Sequence, residues 1–149
     1  MNSIYEPATL QELTERLDKL TPSSQRLWGK MDVAQMMAHA SVPIEIALGE
    51  REGKKSLMGM LVGRFAKSVI TSEEPFKQGL PTSPDFIVRD SRDFDTEKKR
   101  LTGALTRFSK AGADYMHNRK HPFFGKLTAQ EWSNSTVKHI DHHLRQFGA

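Results

Sequence analysis

The sequence predicts an all-α protein, a four-helix bundle with long crossover connections and a short accessory helix. Two observations lead to this prediction. Four stretches carry apolar residues at three- and four-residue intervals, which is the spacing of one helix face, and strand-like alternation is scarce. The second and third connections between these stretches are also too long for a simple up-and-down arrangement of helices.

The first helix is predicted to begin at Thr9, because Thr9 and Glu12 have the spacing of a capping box. Its apolar stripe consists of regularly spaced leucines: Leu10, Leu13, Leu17 and Leu20. The second helix is predicted to follow Asp32, a suitable N-cap, with Gln35 at its third position and Gly49 as its stop. Its apolar face is larger and comprises Val33, Met36, Met37, Ala40, Ile44, Ala47 and Leu48.

The segment between the second and third helices, residues 51–92, has two parts. In the first, apolar residues fall at four-residue spacing: Leu57, Leu61, Phe65 and Val69. This pattern favours an accessory helix packed across the bundle, with a membrane-surface helix or a partner-binding segment as alternatives. Residues 71–92 are proline-rich and read as a long irregular loop, in which residues 86–88 form a short extended patch. Loops of that length inside a compact domain are often part of a site.

The third helix is predicted to begin near Asp93 or Asp95 and to end around Gly112. Its inner stripe consists of Leu101, Ala104, Leu105 and Phe108. Residues 115–126 are predicted to form another loop. The fourth helix opens with a capping box, Thr128 and Glu131, and runs nearly to the carboxyl end.

Composition limits the protein classes to which the chain can belong. Its 149 residues predict one domain, and 37% hydrophobic with 27% charged residues is typical of soluble globular proteins. Cysteine is absent, which excludes disulfides and thiolate ligands and leaves His, Asp and Glu as strong metal ligands. A net charge of +4 with dispersed basic residues argues against nucleic-acid binding. With no secretory signal and no membrane-spanning stretch, a cytoplasmic location is expected.

The histidines of the fourth helix are the most informative residues. His139 and His143 are four residues apart, so they stand on the same helix face and can share an ion. His142 lies at the flank of that face. The rings of His139 and His143 are expected to point into the bundle, because the residues that share their face are uncharged: Trp132, Thr136 and Phe147. The alternative is a pair of core histidines bonded to backbone carbonyls or water.

His39, on the second helix, is the candidate third ligand. Three imidazoles from two helices form a site open on one side, as in catalytic zinc centres, although imidazole also suits nickel, copper and iron. Three further residues are candidates for lining this site: the flanking His142, Gln35 and His121. Gln35 lies one turn before His39 and is otherwise a helix cap, and His121 is a loop residue that otherwise forms a turn beside Pro122.

Two segments resemble the DinB-like superfamily. Residues 28–39, Trp-Gly-Lys-Met-Asp-Val-Ala-Gln-Met-Met-Ala-His, are similar to its second-helix signature, and His139-x-x-x-His143-x-x-Gln146 is similar to its last-helix signature. Residues 121–132, which begin His-Pro-Phe-Phe-Gly-Lys-Leu-Thr and end Glu-Trp, resemble a branch of that superfamily catalogued as a domain of unknown function.

The resemblance implies a four-helix bundle, often a homodimer, with zinc or nickel held by His39, His139 and His143. Some members of the superfamily are metal-dependent transferases that activate a low-molecular-weight thiol. The first hypothesis is therefore an enzyme of this kind acting on a small-molecule substrate, with a metal-dependent hydrolase as a variant. The second is a metal-binding or partner-binding module without turnover, and the third is a peripheral protein that docks through residues 57–70.

Overall fold

A computed structural model of the chain describes residues 2–53, 63, 66–80, 82 and 84–149. The chain is predominantly helical, as the sequence predicts. The long helices are α1 (Pro7–Asp18), α2 (Val33–Leu48), α3 (Phe94–Met116) and α4 (Ala129–Gln146), and two short strands, β1 (Lys120–His121) and β2 (Gly125–Lys126), pair antiparallel. Within the described ranges, no helix is both long enough and apolar enough to cross a bilayer.

The capping boxes predicted for the second and fourth helices are present. In α2, the Asp32 carboxylate accepts from the backbone N–H of Gln35, and the side-chain oxygen of Gln35 accepts from the backbone N–H of Asp32. In α4, Thr128 and Glu131 make the same reciprocal pair. Each box satisfies two N–H groups that have no partner within the helix.

The predicted start of the first helix was wrong. α1 begins at Pro7, whose fixed φ and missing N–H suit the first helical position, and Glu6 caps it without a side-chain bond. Thr9 lies inside the helix with only 3% of its surface exposed, so it cannot serve as the cap. Proline at the first position was the better signal.

α3 begins at the predicted cap, Asp93, whose carboxylate accepts from the Thr96 N–H. Its regular geometry breaks at Gly112, where φ is 79° and ψ is 167°, and helical residues continue to Met116. The predicted end near Gly112 therefore coincides with a kink. A residue with a side chain would be strained in this conformation.

The hydrophobic core draws on all four long helices, and the most extensive contact is between α2 and α3. The predicted inner stripe of α3 is at most 1% exposed throughout. A paired ionic contact also joins these helices, since the Arg100 guanidinium donates to both Glu45 carboxylate oxygens at 2.6 and 2.8 Å. Of the apolar face predicted for α2, Val33, Met36, Met37, Ala40, Ile44 and Ala47 are buried, whereas Leu48 is only partly buried against the core.

The two long connections contain more structure than predicted. Residues 84–86 form a 3-10 turn, so residues 86–88 do not form the expected extended patch. The turn is the simplest way for Pro84, with its fixed φ, to reverse the chain locally. Residues 115–126 likewise contain the last turn of α3 and the β1–β2 hairpin, in which His121 lies opposite Gly125.

Most of the predicted accessory helix, including Leu57, Leu61 and Phe65, lies outside the described residues. The part that follows, residues 66–71, is helical, and Val69 is 50% exposed. This end of the segment is tied to α4 by the buried Lys138, whose ammonium group donates to the Ser72 carbonyl at 3.0 Å and also to the Val69 carbonyl. The segment therefore reaches the helix that carries His139 and His143.

Candidate metal centre

Three histidines from two helices converge inside the protein. The Nε2 atom of His139, on α4, lies 3.1 Å from the Nε2 atom of His39, on α2, and 3.1 Å from that of His143. One ligand atom from each of the three lies within 4.8 Å of the others. The three residues that the sequence singles out as candidate ligands are therefore brought together.

The outer nitrogen of two of these rings is held by an oxygen that can only accept. The Nδ1 atom of His39 lies 2.8 Å from the Phe86 carbonyl, and the Nδ1 atom of His143 lies 2.8 Å from the Gln146 amide oxygen. Because neither oxygen carries a proton, both Nδ1 atoms must donate. The neutral tautomer is thereby fixed, and Nε2 of each ring presents a lone pair to the centre of the triad.

Gln146 is itself held in place. Its side-chain NH₂ group donates to the Trp28 carbonyl at 2.8 Å, which directs the amide oxygen to His143. Its backbone carbonyl accepts from the Leu27 N–H at 2.8 Å. A buried amide bonded on both sides has one orientation, so the His143 ring is oriented before any ligand binds.

A triad of neutral imidazoles in this arrangement fits a metal ion. Nε2 of His139 carries at most one proton. That proton can bond to the Nε2 lone pair of His39 or of His143, and the other lone pair then has no proton to accept. In a tetrahedral zinc site with bonds of 2.0–2.1 Å, the ligand nitrogens would be about 3.3 Å apart. The observed 3.1 Å separations are close to that value. The donor set, its tautomers and its spacing all fit a divalent cation.

Burial keeps the three rings in the neutral, ligand-competent form. His39 and His143 are 4% and 6% exposed. Desolvation is the largest cause of the low pKa of His143, about 3, and of the lowered pKa of His39. The pKa of His139 is also well below its usual value, chiefly because its imidazole is enclosed and adjoins the other rings. His139 as a whole residue is less buried than the other two, although its imidazole is enclosed.

His142, predicted to flank the pair, lies directly beside it. Its ring centroid is 5.2 Å from that of His143, and its ring packs edge-on against Trp28 and Phe76. The Phe76 carbonyl accepts a hydrogen bond from it, which raises its pKa, although desolvation outweighs this and lowers the pKa overall. His142 therefore belongs to the surroundings of the triad.

Gln35, the second candidate for lining the site, uses its side chain elsewhere. Its oxygen accepts from the Asp32 N–H at 3.0 Å, and its NH₂ group donates to the Asp90 carbonyl at 3.1 Å. Gln35 thus caps α2 and fastens the loop that contains Phe86. Its contribution to the triad is through the position of that loop.

His121, the third candidate, lies in an aromatic cluster on the β1–β2 hairpin. Its ring stacks on Phe124 at 4.2 Å, and its Nδ1 atom accepts from the Phe123 N–H at 3.1 Å. Burial lowers its pKa to about 4. Trp132 packs against it at 5.4 Å, and no atom of the described residues accepts a hydrogen bond from the buried indole N–H of Trp132. The hairpin turn, residues 122–124, follows His121 directly. This agrees with the alternative prediction, in which His121 belongs to a turn beside Pro122.

Sequence reasoning missed the partners that orient two of the ligands and the neighbouring His142. Gln146 lies three residues after His143 on the same helix, a spacing that identifies it as a neighbour of that ring. Phe86 and Phe76 contribute backbone carbonyls from an irregular loop, and a backbone carbonyl leaves no trace in residue type. Geometry alone reveals these two.

Comparison with known proteins gives one match. The model of a family described as "Protein of unknown function (DUF1569)" covers residues 5–149, so the chain belongs to this family. None of the curated proteins and none of the solved structures matches the chain.

Proposed function

We propose that this member of the DUF1569 family is a single DinB-like four-helix-bundle domain, residues 1–149, that binds a divalent metal ion through His39, His139 and His143. One observation carries the proposal. Three Nε2 atoms converge while carbonyl oxygens hold Nδ1 of His39 and His143, so the lone pairs have no better partner than a cation. Zinc and nickel are the favoured ions, since both accept imidazole nitrogens.

The protein's own contribution to this centre is orientation and exclusion of water. The Phe86 carbonyl and the Gln146 amide fix two rings, and burial of His39 and His143 keeps water from the inner side. We place the open coordination position on the side of His139, the least buried of the three residues. A divalent ion bound there would lower the pKa of a thiol or water molecule in its open position.

The reaction that we propose is transfer of a low-molecular-weight thiol to a small electrophilic substrate, in a cytoplasmic homodimer. The chain has no cysteine, so the thiol must come from a separate molecule. Two alternatives use the same residues: hydrolysis by a water molecule in the open position, and a metal-binding module without turnover.

Metal content tests the site. Purified wild-type protein should carry about one zinc or nickel ion per chain, as a three-histidine centre requires. His143→Ala should lose it, whereas His117→Ala should keep it, because His117 is an exposed histidine outside the triad. Equal metal content in the two variants would refute the site.

Turnover is tested separately on metal-loaded protein. Wild type should accelerate the reaction of a thiol with a model electrophile such as a chlorinated nitrobenzene, and His143→Ala should not. Acceleration of ester hydrolysis without added thiol would favour the hydrolase. Full metal occupancy with neither activity would favour the module without turnover.

A further inference from the structure

A second feature lies on the other side of the Phe86 loop, between α2 and α3. A cavity of about 260 Å³ is bounded by Phe86, Ile87 and Val88 on one side and by side chains of the two helices on the other. Three arginines line it, Arg51, Arg92 and Arg100, together with one carboxylate, Asp90. The lining carries three positive charges and one negative charge, and two acids just outside it, Glu45 and Glu97, pair with two of the arginines. The positive charge that a ligand could still use is therefore that of the third arginine, Arg51.

Two of these arginines are held in fixed positions by acids, of which Asp90 lines the cavity and Glu45 and Glu97 do not. Arg100 is paired with Glu45 and, at 3.0 Å, with Glu97. Arg92 donates to Glu97 at 3.3 Å and to Asp90 at 3.2 Å. The pairs with Glu45 and Glu97 keep both guanidinium groups at the cavity, while each guanidinium still has N–H groups not used in these bonds.

Arg51 differs from the other two. It is exposed, it follows α2 directly after Gly49 and Glu50, and no hydrogen bond or ion pair joins it to the described part of the chain. Its five N–H donors and its charge are all available. A cavity that already contains two oriented guanidinium groups thus has a third one free to close on a ligand.

The loop wall of the cavity is fastened at both ends. The Phe86 carbonyl accepts from His39, and the Asp90 carbonyl accepts from Gln35, both residues of α2. Because the wall is anchored to the helix that it faces, the cavity is formed before a ligand binds. Preformed sites cost less conformational entropy on binding.

We propose that this cavity is a binding site for a small organic anion, one that carries a carboxylate or a phosphate group, with Arg51 as its principal contact. Planar guanidinium groups match the oxygens of both anions through paired hydrogen bonds. The volume admits a molecule of a few carbon atoms. The proposal is independent of the metal centre, because none of the three histidines of the triad lines the cavity.

Calorimetry on metal-free protein tests the site at constant ionic strength. The probes are malonate for the carboxylate source, inorganic phosphate for the phosphate source, and malonamide as an uncharged molecule of similar shape. Saturable binding of malonate or phosphate, with no binding of malonamide, is expected. No saturable binding of either anion, or equal binding of malonamide, would overturn the proposal.

A pair of charge-matched variants locates the anion. Arg51→Gln should weaken binding about tenfold, the effect expected from loss of a charged hydrogen-bond donor. Arg89→Gln removes the same charge from the loop that forms the cavity wall, at an exposed residue that does not line the cavity. It should change the dissociation constant less than twofold, because an exposed charge that does not touch the ligand contributes little. Equal weakening in both variants would show general charge attraction and would refute the assigned site.

Discussion

At the scale of single residues, the candidate metal centre depends on atoms that are not ligands. His39 and His143 present their Nε2 lone pairs only because Nδ1 of each donates to an oxygen. An acceptor bonded to the outer nitrogen of a ligating imidazole fixes its tautomer and raises the basicity of the ligating nitrogen. Gln146 is the more informative of the two, because a side chain can be changed and a backbone carbonyl cannot.

Two substitutions at Gln146 separate the effects of its two side-chain hydrogen bonds, the one to His143 and the one to the Trp28 carbonyl. Gln146→Leu removes both, and zinc affinity should fall about 10- to 100-fold, the usual effect of losing the hydrogen-bond partner of a metal-bound imidazole. Gln146→Glu keeps an acceptor for His143 but loses the donor to the Trp28 carbonyl. It should retain zinc affinity near that of wild type while losing stability. Competition titration against a zinc chelator measures the affinities, and equal affinity in the two variants would contradict the assigned role.

His121 makes stability depend on pH. Its pKa is about 4 in the folded protein against an ordinary 6.5, since burial disfavours the imidazolium. Between these values the unfolded chain binds more protons than the folded one, so stability falls as pH falls through this window. From pH 7 to pH 5 the contribution of His121 to the free energy of unfolding should drop by about 2 kcal/mol.

Urea unfolding of metal-free wild type and of His121→Gln at these two pH values measures this contribution. Only the change with pH is compared, because the substitution also removes the stacking on Phe124. The wild-type protein should lose more stability than the variant. Identical losses in the two proteins would show that His121 is not buried as a neutral ring.

At the scale of secondary-structure elements, the sequence predicts well what local chemistry specifies. The capping boxes at Asp32 and Thr128 mark two helix starts correctly, because each depends on residues three positions apart. The spacing of His139 and His143 follows from helix periodicity for the same reason. His39 required the family resemblance, since its approach depends on how α2 packs against α4. The carbonyls of Phe76 and Phe86 could not be predicted, because they depend on the path of a loop.

Two glycines in the connections between helices have left-handed backbone conformations, Gly29 between α1 and α2 and Gly79 between α2 and α3. Gly29 has a φ of +83°, and a Cβ at this position would contact the side-chain nitrogen of Gln146. Gly79 has a φ of +75°, and no atom of the residues that the structure describes lies within 4 Å of an added Cβ. The two glycines therefore share the backbone requirement and differ in the contact.

Alanine at each position should separate these two effects. Gly79→Ala should cost about 1 kcal/mol, the strain of a left-handed residue with a side chain. Gly29→Ala should cost about 2–4 kcal/mol, because it also displaces the buried Gln146 amide. Chemical denaturation of both variants measures the difference, and equal costs would mean that Gln146 does not approach Gly29 closely.

At the scale of the whole molecule, the centre joins helices that are distant in sequence, with His39 on α2 and the other two ligands on α4. These ligands are arranged only in the folded chain, so a metal ion that binds them must stabilise the fold. Zinc at about 100 times its dissociation constant should add about 2.7 kcal/mol to the free energy of unfolding. A chelator should reverse the gain.

Thermal unfolding with and without zinc checks this coupling. His117→Ala should respond to zinc as wild type does, and His139→Ala should respond much less. The same zinc-dependent shift in His139→Ala would place the stabilising ion elsewhere on the chain.

The central claim is that His39, His139 and His143 hold one divalent ion. Anomalous X-ray diffraction from zinc-soaked crystals, collected on both sides of the zinc absorption edge, tests it most directly. We predict a single strong peak at about 2.0–2.1 Å from Nε2 of each of the three histidines, the usual zinc–imidazole distance. A triad without a peak, or a peak bound by other residues such as His121 or His142, would contradict the claim.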